Sequence, residues 1–402
     1  MRILFVHSGA DLYGASRSLL RLVARLQSDG HEAAVVLPYE GPMLDQLRAQ
    51  DVRTLIHSSL PIVTRPAVRR PRGLAQLVLN IPRSTRWLST QIREFRPDVI
   101  HTNTALILTP GLAARLANIP HVWHVREFFS EFPSFWKKYQ WYMNAFSDRI
   151  ICVSSAVAEQ FHPKIRRRKV AVIHDGFPQS EFSAADPQRV NEFRQRFKIN
   201  GHFVVGVVGR IKFKRKGQEV LVRAAQILRE RYPHVRYAFV GSPFPGNESH
   251  LDNLRALIHE CGVEDRVVLC GEMHDMPTAY ASLDVSVLPS ALPEPFGGIV
   301  IESMAMGKPV IGTIIGGTIE QIDDGLTGFL IEPDRPDLLA DSIARFVESP
   351  SLCEEFGRNA REKFLREFEF DAFYRKITSL YASVAKPSVA RRREDTVTQP
   401  LS

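Results

Sequence analysis

The stretch that decides the fold is PEPFGGIVIE at residues 293–302, followed at once by SMAMGKPV at 303–310. Two carboxylates, Glu294 and Glu302, lie eight positions apart, with a glycine pair and an unbroken apolar run between them. Glycine lets a ligand approach the backbone closely, and the N–H groups of a first helical turn bind anions. We therefore predict a loop that ends at Gly297-Gly298 and a helix that begins there.

The two carboxylates give this helix start a specific chemistry. Glu302 is about one turn into the predicted helix, where it can accept hydrogen bonds from a diol, and Glu294 lies before it on the loop. One carboxylate on each side of a phosphate-binding helix start suits a ligand that carries a sugar, a diphosphate and a ribose in a row. A nucleotide-sugar is a ligand of this kind.

Short apolar runs alternate with longer helical patterns along the chain, which predicts parallel sheets with crossover helices. The strand-like runs of the first half are 3–7, 33–37, 52–56, 99–102, 121–125 and 150–153. Those of the second half are 203–208, 237–240, 267–269, 285–288, 309–312 and 329–331. We expect an α/β protein with two doubly wound domains of about six strands each.

The domain limits follow from the composition of the connecting stretches. We predict a first domain over 1–185, a second over 186–364, a terminal helix over 365–385 and a disordered tail over 386–402. Ligands of doubly wound sheets bind outside the carboxyl ends of the strands. With two such domains facing each other, the expected site is the cleft between them.

Composition indicates an ordinary globular protein. The 402 residues are 44% hydrophobic and 24% charged, and the four cysteines are scattered without a Cys-x-x-Cys pair. This pattern favours a reducing compartment and disfavours a zinc site or a disulfide framework. No apolar run reaches the roughly 18 residues that span a bilayer, and the N-terminus reads as a buried strand. We expect a cytoplasmic protein.

The positive charge is placed unevenly. Residues 1–185 hold 24 Lys and Arg against 14 Asp and Glu, a net of +10, and the remainder has a net of −2. The excess is dense at Arg65, Arg69, Arg70, Arg72, Arg83, Arg86, Arg93 and Arg96, and again at Lys164, Arg166, Arg167, Arg168 and Lys169. Such a surface suits an anionic membrane or a phosphate-bearing acceptor, whereas the plainer alternative is a solvated face that only aids solubility. Nucleic acid is disfavoured because no recognition module is present.

Further motifs accompany the Glu-x7-Glu pair in order along the chain. They are Gly209-Arg210 with Lys216-Gly217, DVSVLPS at 284–290 and GLTGF at 325–329. With this set the chain resembles the retaining glycosyltransferases of the GT-B fold, in family 4, closely in its C-terminal half and more loosely in its N-terminal half. The resemblance implies two Rossmann-like domains with the donor mainly on the second and the acceptor on the first. It also implies that the terminal helix crosses back to the first domain.

The resemblance assigns catalytic roles to Arg210 and Lys216, which would neutralise the donor diphosphate as the sugar–phosphate bond breaks. The family commonly places the lysine five residues after the arginine, where this chain has Arg215. An inserted residue explains the shift, and we favour Lys216 because Lys216-Gly217-Gln218 keeps the local context. The alternative is a basic turn on the surface.

Other donor contacts are also implied by the resemblance. Glu302 would bind the ribose, while Glu294, counted among the catalytic residues, would hold a hydroxyl of the donor sugar or only brace the loop. The remaining implied donor contacts are the backbone of Phe296, Gly297, Gly298 and Ile299, the helix start at Gly14, and a base-binding region near Glu272 and Met273.

In the first domain the resemblance places His124 in the cleft beside the donor sugar, with a catalytic role. Glu127 and Arg17 are candidates for contact with the acceptor. Aromatic residues crowd the stretch 128–142, where plain helix core is favoured over an amphipathic surface for a membrane or lipid carrier.

No Asp-x-Asp triplet occurs, so no metal or other cofactor is implied, and Arg210 and Lys216 would replace the charge of a metal ion. The leading hypothesis is a retaining, metal-independent hexosyltransferase-like enzyme. It would act on a glycan or lipid-linked acceptor in bacterial surface polysaccharide synthesis, at the inner face of the cytoplasmic membrane. The alternatives are a nucleotide-sugar epimerase of the same fold and a non-catalytic nucleotide- or glycan-binding subunit.

Overall fold

The computed structural model describes residues 1–64, 67, 70–182 and 185–385. The chain divides into two compact units. Unit 1 comprises Met1–His174 and the chain from Tyr374 onward, and unit 2 comprises Asp175–Phe373. The tail predicted over 386–402 lies outside the described residues, as do Arg65 and Arg69 of the basic stretch.

Unit 1 is built on a parallel sheet in the order β3-β2-β1-β4-β5-β6-β7. Its strands are β1 (Arg2–Val6), β2 (Glu32–Leu37), β3 (Arg53–Ile56), β4 (Val99–Thr102), β5 (His121–Val125), β6 (Arg149–Cys152) and β7 (Val170–Val172). Its helices are Gly14–Ser28, Pro42–Ala49, Pro71–Phe95, Thr109–Ala117, Pro133–Ala145, Ser155–Glu159 and Pro163–Lys169. The central strands β1, β4 and β5 are almost fully buried, since helices cover both faces of a parallel sheet.

Unit 2 has a second parallel sheet in the order β10-β9-β8-β11-β12-β13. Its strands are β8 (Phe203–Val208), β9 (Val235–Val240), β10 (Val267–Gly271), β11 (Val285–Leu288), β12 (Val310–Thr313) and β13 (Gly328–Ile331). Its helices are Pro187–Arg196, Gln218–Leu228, Ser249–Glu260, Met276–Ala281, Gly298–Ala305, Thr318–Gln321, Pro336–Glu348 and Pro350–Lys363. The topology places the carboxyl ends of neighbouring strands β8 and β11 at one edge, and this edge carries the candidate site.

The predicted domain boundary at 185/186 is wrong, because unit 2 begins at Asp175. The segment after Asp175 packs on unit 2: Phe177 and Phe182 belong to its hydrophobic cluster with Val300 and Met304. The backbone of Phe177 also exchanges hydrogen bonds with the stretch at residues 368–370. Two buried aromatic side chains thus determine the boundary, and the polar composition that we used as its marker lies beyond it.

The terminal helix predicted over 365–385 is interrupted. A π-helical turn runs over Phe364–Phe368, Glu369 is extended, and the helix proper is Phe370–Val384. Its later part belongs to unit 1, where the Tyr381 hydroxyl lies 2.7 Å from His101 Nδ1 in the interior. A continuous helix was predicted because the sequence between 363 and 384 contains neither glycine nor proline.

Two other features of unit 1 bear on the sequence interpretation. The strand β7 (Val170–Val172) was missed because it is a three-residue edge strand that pairs only with β6 and directly follows a basic helix. The aromatic stretch was correctly interpreted as core, since Trp136 and Tyr139 of the helix Pro133–Ala145 are buried and stack among other rings. Within the described part of the chain, no helix is long and apolar enough to cross a membrane.

Candidate functional site

Three loops converge at the carboxyl edge of the unit 2 sheet. They follow the strands β8, β11 and β12, which are neighbours in the order β8-β11-β12. The loop after β11 contacts both others: the amide of Ala291 donates to the carbonyl of Arg215, and the amide of Gly317 donates to the carbonyl of Glu294 at 2.8 Å. The loops after β8 and β11, which are about 80 positions apart in the sequence, are therefore adjacent in the structure.

Lys216 and Glu294 form an ion pair across two of these loops. The distance between Lys216 Nζ and Glu294 Oε1 is 2.9 Å, and the two side chains are only 17% and 12% exposed. Both were predicted as catalytic from separate motifs, and the structure brings them together. Arg215, the competing candidate at the family spacing, has no ion pair with Glu294 within the described residues.

The position of Lys216 is fixed by the glycine that follows it. The amide of Lys216 donates to the carbonyl of Lys212, which makes a single helical turn, and Gly217 then adopts φ of +65°. A Cβ atom at Gly217 would collide with the carbonyl oxygen of Pro289. Only glycine allows both the left-handed backbone and this close approach, so the turn lies directly against the loop after β11.

The same turn concentrates positive charge. Burial is the main cause of the lowered pKa of Lys212, and the neighbouring cations Arg215 and Lys216 lower this pKa further. Arg210 directly follows β8, and its guanidinium lies 4.9 Å from the ring centroid of Phe244. This local excess of cations fits an anion with several charges, and a lysine ammonium has three donors, so Lys216 can bind one while it keeps Glu294.

The helix Gly298–Ala305 begins beside this charge. Gly297 is its N-cap residue and provides no side-chain cap, and the Nε2 of Gln321 donates to the Gly297 carbonyl at 3.0 Å. A Cβ atom on Gly209, which precedes Arg210, would lie 2.9 Å from Ile299 Cδ1. The end of β8 therefore packs against the first turn of the helix.

Glu302 lies one turn into this helix, as predicted, and has a partner that the sequence did not reveal. The Tyr280 hydroxyl donates to Glu302 Oε2 at 2.8 Å from the helix Met276–Ala281. Burial raises the pKa of Tyr280 well above its usual value, and the Glu302 charge adds to this effect. Tyr280 thus orients the Glu302 carboxylate. Nothing in the spacing of residues 271–302 distinguishes Tyr280 from other buried aromatic residues.

The remaining donor candidates lie around this edge with less distinctive surroundings. Glu272 is exposed and Met273 packs against a hydrophobic cluster of unit 2, both directly after β10. Phe296 is partly buried, and its ring centroid lies 6.0 Å from that of Phe368.

Unit 1 carries a second polar cluster, which sequence analysis missed. The Arg126 guanidinium donates to Asn103 Oδ1 at 3.2 Å and to Ser18 Oγ at 3.1 Å, beside the start of the helix Gly14–Ser28. His7 lies 3.0 Å from Ser16 Oγ and 3.3 Å from Asn103 Nδ2. His7, Asn103 and Arg126 follow β1, β4 and β5 at the carboxyl edge of the sheet. In the sequence, their position after a strand was the only signal for this cluster.

The structure places His124 inside β5, with none of its surface exposed, and its Nε2 is a buried atom without a hydrogen-bond partner. Burial lowers the pKa of His124 well below the usual value, and the charge of Arg126 lowers it further. Its catalytic role beside the donor sugar stays a prediction.

The Glu127 carboxylate braces the backbone around it, and its predicted contact with the acceptor stays a prediction. Thr104 Oγ1 donates to one oxygen at 2.5 Å, and the amides of Ala105 and Arg126 donate to the other at 3.0 and 2.9 Å. These bonds fix the loop after β4. The other unit 1 candidates, Gly14 and Arg17, are exposed at the start of their helix.

Among the described residues, no group of three or more His, Cys, Asp or Glu side chains is arranged to hold a metal ion. The expectation of metal independence therefore stays a prediction.

Two family models match the chain, one in each half. Residues 189–363 match the model described as Glycosyl transferases group 1, and residues 13–181 match Glycosyltransferase Family 4. Both matches agree with the resemblance drawn from the motifs.

Relatives of known name match about half of the chain. It is 30% identical over 190 residues to the capsular polysaccharide biosynthesis glycosyltransferase CapM of Staphylococcus aureus, which covers 47% of this chain and 48% of CapM. It is 30% identical over 207 residues to the alpha-D-kanosaminyltransferase of Streptomyces kanamyceticus, which covers 51% of this chain and 52% of that protein. The chain spans about half the length of these curated relatives.

Solved structures match over nearly the whole chain. Anabaena Alr3699/HepE in complex with UDP and glucose has a TM-score of 0.81 and 25% identity, and covers 95% of this chain and 100% of that chain. This likeness and the two parallel sheets confirm the predicted fold class.

The buried histidines of unit 1 predict a pH dependence of stability. Burial lowers the pKa of His7 and of His121 to about 4, against 6.5 for an accessible histidine. The unfolded chain therefore binds more protons than the folded one between pH 6.5 and 4. Stability should fall as the pH is lowered through this window, by about 1.4 kcal/mol per pH unit for each histidine. Denaturant titrations at several pH values measure the slope. The variant His121→Gln should show a shallower slope, and equal slopes would contradict the assignment.

Proposed function

We propose that this chain, which belongs to the group 1 glycosyltransferases of the GT-B fold, transfers a sugar from a nucleotide-sugar donor to a hydroxyl group of a glycan or lipid-linked acceptor. One observation carries the proposal. In unit 2 the Lys216–Glu294 pair, the uncapped start of the helix Gly298–Ala305 and the Tyr280–Glu302 pair gather at one edge of the sheet.

The donor diphosphate is proposed to bind at the helix start, with Arg210 and Lys216 on its oxygens. Amide groups of a first helical turn and fixed cations both favour an anion. Glu302 would accept hydrogen bonds from the ribose hydroxyls, with its carboxylate oriented by Tyr280. The UDP in the structure of Anabaena HepE supports a nucleoside diphosphate as the ligand class.

The reaction is proposed to retain the configuration of the sugar, as in the family that the chain resembles. The bond between the anomeric carbon and the phosphate oxygen breaks, and the acceptor oxygen bonds to that carbon on the same face. The acceptor proton passes to the leaving phosphate. The step needs no carboxylate nucleophile, and Arg210 with Lys216 stabilises the charge that develops on the diphosphate.

The acceptor is proposed to be a growing surface polysaccharide or its lipid-linked precursor, as in capsule, exopolysaccharide or lipopolysaccharide synthesis. The name of the S. aureus relative, a capsular polysaccharide glycosyltransferase, supports this choice. The basic excess of residues 1–185 supports a peripheral contact with the inner face of an anionic membrane.

Turnover tests the proposal directly. The chain should first be screened for thermal stabilisation by UDP-, GDP-, ADP- and dTDP-sugars, because ligand binding stabilises the folded state by mass action. With the selected donor, nucleoside diphosphate should be released only when an acceptor is present. Conversion of the donor sugar without acceptor would indicate an epimerase, and binding without turnover on any acceptor would indicate a binding subunit.

The variant Lys216→Ala should lower the rate of sugar transfer on the order of 100-fold or more, because one fixed donor to a developing charge contributes about 10²- to 10³-fold. Arg210→Ala should have a similar effect and keep the wild-type melting temperature within a few degrees, whereas Lys216→Ala should also lower it, because Glu294 loses its partner. Rates are therefore compared below the melting temperature of each variant. Lys214→Ala removes an exposed cation from the same turn and serves as the control. If Arg215→Ala abolishes transfer while Lys216→Ala stays active, the assignment of the lysine is wrong.

The variant Glu302→Ala should weaken the binding of the nucleoside diphosphate by about 10- to 150-fold, since a hydrogen bond to a charged group contributes about 1.5 to 3 kcal/mol. Tyr280→Phe removes only the orienting hydroxyl and should have a smaller effect of the same sign. Isothermal titration calorimetry measures both, with the exposed Glu355→Ala as a control. A dissociation constant unchanged by Glu302→Ala would remove this residue from the ribose contact.

Transfer activity should survive EDTA, because Arg210 and Lys216 are proposed to supply the positive charge at the diphosphate. Initial rates are compared before and after chelation and dialysis. Complete loss that Mg²⁺ or Mn²⁺ restores would show that the reaction depends on a metal ion.

A further inference from the structure

The first half of the helix Pro71–Phe95 in unit 1 exposes an apolar face. Leu74, Val78 and Leu79 are 52%, 57% and 73% exposed, and Pro82 is exposed as well. Leu74, Val78 and Pro82 follow one another at intervals of four residues, so they line one side of the helix. Leu116 on the helix Thr109–Ala117 is 69% exposed and borders the same groove as Pro82. We call these five residues the apolar face.

Arginine residues of the same helix lie beside the apolar face, and we call them the arginine rim. The helix carries Arg72, Arg83, Arg86 and Arg93, and its one carboxylate, Glu94, lies 3.6 Å from Arg53. A groove of about 600 Å³ is lined by Arg86, Arg93, Pro82 and Leu116. A second groove of about 810 Å³, at the start of the helix, is lined by Arg70 and Arg72 among others. Each groove combines apolar walls with guanidinium groups.

The structure does not need this surface for its own core. Other positions of the helix supply Leu77, Leu88, Ile92 and Phe95, which are buried. Leu88, Ile92 and Phe95 pack in the hydrophobic cluster of the unit 1 sheet. A contiguous apolar surface that remains exposed and is flanked by charge typically marks an interaction site.

We propose that the apolar face and its arginine rim dock unit 1 on a bilayer that contains anionic phospholipids. A helix with an apolar side and a cationic border lies in the plane of the interface, with its apolar side in the acyl boundary. Guanidinium groups bind phosphate through paired hydrogen bonds, which suits lipid headgroups in the two grooves. The inference deepens the membrane contact proposed above and rests on it, and it does not depend on sugar transfer.

A second copy of the chain and the tail 386–402 both fit the positive charge of the arginine rim less well than a bilayer does. In a symmetric dimer the same surface of a second copy would face this one, and the arginines of both rims would repel each other. The tail 386–402 has Lys386, Arg391, Arg392 and Arg393 against Glu394 and Asp395, so it carries net positive charge. A bilayer with anionic headgroups complements the rim, and its hydrocarbon complements the face.

Vesicle co-sedimentation of the full chain tests the proposal. One variant combines Arg72→Gln, Arg83→Gln and Arg86→Gln, and another combines Leu74→Ser and Leu79→Ser. The matched control combines Arg166→Gln, Arg167→Gln and Arg168→Gln, which removes the same charge from the helix Pro163–Lys169. The vesicles contain either phosphatidylglycerol with phosphatidylcholine or phosphatidylcholine alone, each at low and high salt.

The wild type should bind the anionic vesicles, more weakly at high salt, and bind phosphatidylcholine far less. The rim variant should lose on the order of 100-fold in affinity, about fivefold for each arginine near the surface. The leucine variant should lose about tenfold or more, and the control should stay within about threefold of the wild type. The proposal is overturned if the control loses as much as the rim variant, or if lipid charge makes no difference. A wild-type dimer that the leucine variant dissociates, with lipid binding unchanged, would assign the face to a second copy.

The affinity for nucleoside diphosphate, measured on the same proteins, separates this inference from the proposed function. The rim and leucine variants should bind it as the wild type does. If the leucine variant loses both activities it has misfolded, and Leu116→Ser, on a different helix, replaces it. A wild type that binds vesicles through this face but binds no nucleotide would leave the membrane inference intact and contradict the donor site.

Discussion

The ion pair between Lys216 and Glu294 is the interaction on which the candidate site depends. It connects the turn after β8 to the loop after β11, and the backbone of Glu294 is in turn bonded to the loop after β12. The side chains of Lys216 and Glu294 are both mostly shielded from water. Each charge therefore needs the other, because an uncompensated buried charge costs several kcal/mol. Neighbouring parallel strands bring their carboxyl ends together, and this pair fixes how the loops that leave them are arranged.

Under the proposed function, this arrangement would let one edge of the sheet hold a diphosphate and release it. Lys216 has donors left for a phosphate while it stays paired with Glu294, and Arg210 and the first turn of the helix Gly298–Ala305 add positive potential. Because Glu294 partly neutralises Lys216, the site is less positive than its cations alone would make it. A site of this kind would bind the diphosphate more strongly in the transition state, when more negative charge has developed on it. A transferase needs this difference in binding.

Most of the fold could be predicted from the sequence. Buried parallel strands are near-continuous apolar runs, so twelve of the thirteen described strands were placed within a few residues, and only the short edge strand β7 was missed. The boundary between the units was misplaced because it depends on the packing of Phe177 and Phe182, which polar composition nearby does not reveal. The break before Phe370 was missed for a similar reason, since the interrupted stretch contains no helix-breaking residue.

Site residues were predictable where a motif fixes a local backbone shape, and much less so where tertiary contact decides. The glycine pair and the position of Glu302 follow from local rules of helix starts. The partners could not be predicted: Tyr280 reaches Glu302 from another helix, and Arg126 joins Asn103 and Ser18 across three segments. The burial of His124 and the bonds that join Glu127 to the loop after β4 could not be predicted either, because tertiary packing decides both.

The most direct measurement is a crystal structure of the chain with a bound nucleoside diphosphate. We expect the diphosphate at the start of the helix Gly298–Ala305. Lys216 Nζ and the Arg210 guanidinium should lie within hydrogen-bond distance of its oxygens, and the ribose hydroxyls should contact Glu302. A diphosphate bound elsewhere, such as at the Gly14 helix start alone, or one held by Arg215 without contact to Lys216, would contradict the proposed donor site.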